Sequence, residues 1–269
     1  MGRRIGLIAG SGAIPRFVLD DVRARGWNAA VAAVRGEADP GLAGLSDAFE
    51  WIAPWDISGL VRFFRRARVG TVFMAGKISP GTALESAGDE AAALDLLSKA
   101  GDRTAGALLR VLIDYLAGQG FEVGNPKVFF ERLLCPEGVL SRTEPSRAVL
   151  EDIGFGWPLV RRIADEEIGQ TLVVKDKAIV AVEGMEGTDR AVLRGGEIAG
   201  GGTVVLKAGR RHQDPRIDLP AVGIGTVRSL IEARSAALCI EAGTVPFFQK
   251  EEALALADAN GIAILARTA

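Results

Sequence analysis

Short apolar runs alternate along the chain with stretches in which apolar side chains recur three and four positions apart. The first run, Ile5-Gly6-Leu7-Ile8-Ala9, leads into Gly10-Ser11-Gly12 and then into a helical pattern. That order predicts a buried strand over 4–9, a tight loop, and a helix over 14–25 with Pro15 in its first turn and Gly26 at its end. "NAAVAAV" (28–34) predicts a second buried strand, "SGLVRFFRRARV" (58–69) a helix capped by Ser58, and "TVFMAG" (71–76) a third strand. Such alternation argues for a parallel sheet with helices on both faces and with ligands at the carboxyl ends of its strands. The Gly10–Gly12 loop and "AGKISPG" (75–81) would both lie there. Residues 89–118 read as mostly helical, ending at a glycine-containing cap.

Past "KVFF", the run "CPEGVLSRTEPS" (135–146) is rich in turn formers and has no periodicity. It marks a boundary: an N-terminal domain over 1–135, a linker over 136–145 and a second domain over 146–269. In the second domain "RRIADEEIG" closes a helix, and "QTLVVKDKAIVAVE" (170–183) alternates about Lys175-Asp176-Lys177 as a hairpin does. Short strands ("TVVLK", "AALCIE", "IAILA") then mix with helices near 226–234 and 250–259. The fold class is α/β, a Rossmann-like parallel-sheet domain followed by a second α/β domain.

Composition narrows the chemistry. With 269 residues and 48% apolar content, at about 150 residues per domain, two cores can be buried. The 32 basic and 34 acidic residues nearly cancel to a formal charge of -2, which excludes a general attraction to nucleic acid. Cys135 and Cys239 provide no disulfide framework and fit a reducing cytosol. The apolar run near the start breaks at Gly10, Gly12 and Pro15 before a secretory core can form, and no segment reaches about 18 apolar residues. His212 is the single histidine, which excludes a zinc site built on Cys and His and disfavours a Ser-His-Asp machine. Carboxylates, lysines and a hard cation are the remaining apparatus for a hydrolase.

Four strings carry candidate chemistry. "GSGAIP" is a poor dinucleotide fingerprint, because Pro15 stands at the third glycine position and Arg35-Gly36 follow the second strand where an acid is expected. A phosphate cradle at a helix N-terminus and a plain tight turn both remain. "MAGKI" fails as a Walker A loop, with Thr71 for its first glycine and Ile78 after Lys77; Lys77 either reaches a phosphate or is solvated. In "VEGMEGTDRAV" (182–192), Glu183, Glu186 and Asp189 follow a strand closely enough to repel unless a cation or donors sit among them; an exposed acidic turn is the alternative. In 204–227, Lys207, Arg210, Arg211, His212, Gln213, Asp214, Arg216 and Asp218 mix charges on a strand-to-loop passage, either to bind phosphate and metal or as a solvated loop.

Read together, "GLIAGSGAIP", "AGKIS", "VEGMEGTD" and the stretch from Lys207 through "QDPRIDLPAVG" to Thr226 resemble the LpxI family of UDP-2,3-diacylglucosamine diphosphatases over almost the whole chain. The resemblance implies a Gram-negative lipid A pathway enzyme, cytoplasmic and peripheral at the inner membrane. It would cleave UDP-2,3-diacylglucosamine to UMP and 2,3-diacylglucosamine 1-phosphate (lipid X) with Mg2+ or another divalent cation. It also implies a Rossmann-like N-terminal domain, a family-specific C-terminal α/β domain and a lipid site in the cleft between them. A homodimer is a further expectation.

Carried onto this sequence, Gly10, Ser11 and Gly12 would contact phosphate or sugar, with Lys77 and Ser79 on the neighbouring loop. Thr188, Asp189 and Glu186 would face the substrate from the second domain. Lys207, Arg211, Gln213 and Asp214 would bind phosphate and position metal or water, with Asp218 in support. Asp214, Asp218 and Asp189 are the expected metal ligands; which of Asp214, Asp189 and Glu186 is the base stays open. One departure is Gly225, in "GIGT", where the family pattern after "DLP" implies Gly-x-Asp-Thr. It leaves two readings, a working variant or a form that binds without turnover. The phenylalanines of "VRFFRRARV" and "FFERLL" read first as helix core and second as an acyl or membrane contact.

Overall fold

The apolar run at the N-terminus becomes the central strand of a parallel sheet in the computed structural model, which describes residues 2–78, 105–211, 214, 216 and 220–268. The chain divides into two units, residues 1–129 with 214–218, and residues 130–213 with 219–269. In the first unit the elements run β1 (Arg4–Ala9), α1 (Ile14–Ala24), β2 (Asn28–Val34), β3 (Ala48–Ile52), α2 (Ile57–Arg66), β4 (Thr71–Ala75), α3 (Ala105–Gly118) and β5 (Glu122–Val123). The sheet order is β3-β2-β1-β4-β5 with every pair parallel. Ile5, Leu7 and residues 30–33 are buried on both faces, as strands covered by helices must be. This is the Rossmann-like arrangement expected, and its strand order reverses between β1 and β4.

Two local expectations need correction. A strand, β3, stands between β2 and α2 where no element was expected, and a 3-10 turn over Pro40–Leu45 replaces a crossover helix. Its residues are mostly half-buried at the sheet edge, so no apolar run announces it. The cap of α2 is Asp56, whose carboxylate accepts from the Gly59 N–H at 2.7 Å; Ser58 lies inside the helix. Phe63, Phe64, Phe129 and Phe130 are all buried, which makes the two phenylalanine stripes core.

The second unit contains β6 (Gly138–Val139), α4 (Arg147–Asp165), β7 (Thr171–Lys175), β8 (Ala178–Val182), α5 (Thr188–Ala199), β9 (Val204–Lys207), α6 (Ile224–Glu232), β10 (Ala237–Glu241), α7 (Lys250–Ala259) and β11 (Ala263–Arg267). They build a six-stranded mixed sheet in the order β6-β11-β10-β9-β7-β8, parallel through β9, β10 and β11. Alternation along the strands sorts side chains to its two faces. Leu172, Val174, Val204, Leu206 and Cys239 pack against Ile153, Trp157 and Val160 of α4. Val173, Val205, Leu238, Ile240 and Ile264 pack against Val192, Val227, Leu230, Ala253 and Ala257 of α5, α6 and α7. The β7–β8 hairpin forms as the alternation predicts: Asp176 and Lys177 have φ of 51° and 58°, as a type I′ turn requires.

Candidate functional site

In the first unit the carboxyl ends of β1 and β4 are joined into one piece. The Gly10 N–H donates to Ala75 O at 2.9 Å, the Ser11 N–H to Lys77 O at 2.7 Å, and the Lys77 N–H back to Ser11 O at 3.0 Å. The Ser11 hydroxyl also donates to Lys77 O, at 2.8 Å. Gly10 is obligatory here, since a Cβ on it would lie 2.4 Å from Lys77 O. Ser11 therefore spends its amide and hydroxyl on closing the loop. What the loop presents to an anion is Gly12, at φ 91°, and the first-turn amides of α1, whose cap residue Ala13 supplies no side-chain acceptor. Lys77 is exposed beside them. Ser79 lies outside the described residues.

The second unit gathers a denser group where β9 ends. Lys207 closes that strand and is only 4% exposed. Its ammonium donates to the Thr188 hydroxyl at 2.6 Å and to the Thr171 hydroxyl at 3.2 Å, and stands 3.9 Å from the Glu183 carboxylate. Thr188 in turn donates to Glu183 Oε1 at 3.0 Å. The topology explains the meeting. β7 begins at Thr171 opposite Lys207 in the antiparallel register, β8 returns to the same end at Glu183, and Thr188 opens α5. The N-cap of α5 is Gly187, at φ 83°, which offers no side-chain acceptor to the first-turn amides. A buried ammonium, a hydroxyl and a helix N-terminus thus converge, a set that favours negative charge.

The sequence brought Thr188 and Lys207 forward together; it gave Glu183 no role beyond its acidic string and passed over Thr171. The signal for Glu183 was its place immediately after a strand. That for Thr171 is visible only in the register with β9.

The remaining acids go elsewhere. Glu186 binds the Arg194 guanidinium and the Gly184 N–H, and the bond from Arg194 holds its carboxyl below the usual carboxylate range. Asp189 accepts from the Ser229 hydroxyl at 3.0 Å, and the same hydroxyl lies 3.3 Å from Gly225 O, so Gly225 belongs to the neighbourhood of Asp189. Asp214, grouped with the first unit, is gripped by Arg216 at 2.6 and 2.8 Å, which depresses its pKa. Arg211 is drawn to Asp165 through its N–H at 2.9 Å and its guanidinium at 3.4 Å. Gln213, Asp218 and His212 lie outside the described residues. Among the described residues no three His, Cys, Asp or Glu side chains converge as ligands for a metal ion. Glu183, Glu186, Asp189 and Asp214 each have a different protein partner, an arrangement that does not fit a ready cation cage.

Residues 4–133 match the family description LpxI N-terminal domain, and residues 136–265 match LpxI C-terminal domain. A relative from Caulobacter vibrioides, described as UDP-2,3-diacylglucosamine pyrophosphatase LpxI, is 30% identical over 273 residues, covering 98% of this chain and 97% of the relative. Among solved structures, phosphoribosylglycinamide synthetase from Anaerococcus prevotii is similar at a TM-score of 0.26 and 10% identity, over 67% of this chain and 38% of that one. Glycinamide-RNase-transformylase T from Mycobacterium tuberculosis follows at 0.24 and 16%, over 67% and 44%. Similarity that shallow says nothing of function.

Proposed function

The chain belongs to the LpxI family, and from that premise we propose that it hydrolyses the diphosphate of UDP-2,3-diacylglucosamine, releasing UMP and lipid X in lipid A synthesis. The observation that carries the reading is the group around Lys207. Phosphoryl transfer to water spreads charge over the phosphate oxygens, and fixed donors in a dry site stabilise that charge at no cost of reorganisation. The Lys207 ammonium and the first-turn amides of α5 are such donors. Glu183, already an acceptor for Thr188, fixes that hydroxyl's proton and balances the ammonium until the substrate arrives. In the first unit, taken by itself, Gly12 and the first-turn amides of α1 form an anion seat.

A divalent cation, magnesium before others, belongs to the proposal because diphosphate cleavage needs charge neutralised. Removal of UMP release by EDTA and its return with Mg2+ is the expected result. A peripheral seat at the inner membrane and a homodimer complete the proposal; among the described residues no helix is long and apolar enough to cross a membrane. Co-sedimentation with anionic vesicles and light scattering test these two.

The deciding experiment follows UMP and lipid X from purified protein and UDP-2,3-diacylglucosamine. Equal molar release is expected, with Lys207→Ala lowering it by about 10²-fold or more. Absence of UMP, or a Lys207→Ala rate equal to the original, overturns the reading. A second reading, a form that retains ligand without turning it over, is favoured by Gly225 alone. Native mass spectrometry showing bound intact substrate would support it.

A further inference from the structure

The end of β9 is held by a group the proposed chemistry does not use. Arg161 of α4 and Glu241 of β10 form an ion pair at 2.6 Å, with side chains 9% and 8% exposed. The second oxygen of Glu241 accepts from the Gly209 N–H at 2.8 Å, and the preceding Ala208 N–H donates to Gln170 O at 3.0 Å. Gly209 is pressed against the next turn, where a Cβ would lie 2.7 Å from Thr244 Cγ2. The backbone is thus fixed on both sides two residues after Lys207, at the point where it leaves the sheet.

A buried ion pair is a weak source of net stability, because the cost of stripping water from two charges offsets most of their attraction. What this pair supplies, and an apolar pair of similar volume could not, is an oriented, charge-assisted acceptor for one backbone amide. Gly209 lies two residues beyond Lys207, the buried ammonium of the candidate site. We propose that Arg161 and Glu241 are positioning residues for the hydrolysis, locking the exit of β9 so that Lys207 is presented in one geometry. This rests on the hydrolytic reading above. Neither side chain touches substrate; they act through the Gly209 amide.

The test compares two double variants in the original chain and in the Gly225→Asp chain. Arg161→Met/Glu241→Leu removes the pair and the acceptor, whereas Arg161→Met/Glu241→Gln removes the charges and keeps a carbonyl for Gly209. The first is expected to lose about 10-fold or more in kcat, since misplacement of reacting groups by about 1 Å is that costly, with KM and melting temperature little changed. Hydrogen exchange across 208–211 should quicken in the same variant. The second should recover most of kcat and slow the exchange again. A folded first variant with the original kcat, or a second variant as impaired as the first, overturns the proposal. If the first fails to fold, Glu241→Asp, which keeps the charge and retracts the acceptor, takes its place, and an unchanged kcat sinks the idea. Absence of UMP release from the unaltered chain would count against the hydrolytic reading, and the exchange measurement separates that outcome from failure of the clamp.

Discussion

Gly225 stands where the family resemblance implies an aspartate. It sits in the first turn of α6, exposed, and a Cβ added there meets no heavy atom within 4 Å. Gly225→Asp therefore costs no packing, and it places a carboxylate in the neighbourhood of Asp189 and Ser229. The expected outcome is a rise in UMP release of about 10²-fold, the factor commonly lost with such a group. Equal rates for the two chains would mean that the acid at this position is dispensable. Lys207 and Thr188 were legible because "TVVLK" and "EGTD" are each local. That they share a hydrogen bond was not, since the contact depends on the antiparallel pairing of β7 with β9, which joins residues 36 apart at Thr171 and Lys207. Asp214 was equally visible in sequence, but its bidentate grip by Arg216, two residues on, is a matter of side-chain geometry.

Among the elements, those with uninterrupted apolar runs, β1 and β2, and those with strong helical spacing, α1 and α2, could be read directly. β3 could not, because an edge strand needs apolar side chains on little more than one face, and Phe49 and Trp51 alone do not make a run. The cap of α2 shows how the boundary error arose. Asp56 and Ser58 are both good caps, and only the bond to the Gly59 N–H distinguishes them. Asp56→Ala should destabilise the chain by about 1 kcal/mol, as measured by urea unfolding. A second element is tied by charge. Asp258 of α7 accepts from the Thr143 and Arg142 N–H groups at 2.9 and 2.8 Å, and these bonds, that from Thr143 foremost, hold its carboxyl below the usual range. A carboxyl depressed by folding contributes stability that is present above its unfolded pKa and lost as pH falls through the folded one. The tether should therefore persist through the ordinary Asp range and release only below it, followed by the Thr143 amide shift in an NMR titration. Release within the ordinary range would show that the bonds do not favour the charged form.

At the scale of the molecule, both cysteines report on the integrity of the second unit. Cys135 and Cys239 are 2% and 1% exposed, and burial pushes both thiols up, Cys239 to about 12. Both sulfurs are shielded from reagent, and burial disfavours their thiolates, so iodoacetamide at pH 8 should label neither in the native chain and both in urea. Rapid labelling of the native protein would contradict the packing of β10. The division into units has a different consequence. The chain passes from the first unit to the second at residue 129, returns for residues 214–218, and leaves again. A gene cut after residue 135 would therefore encode the first unit without Asp214 and Arg216, which are synthesised only after β9 of the second unit.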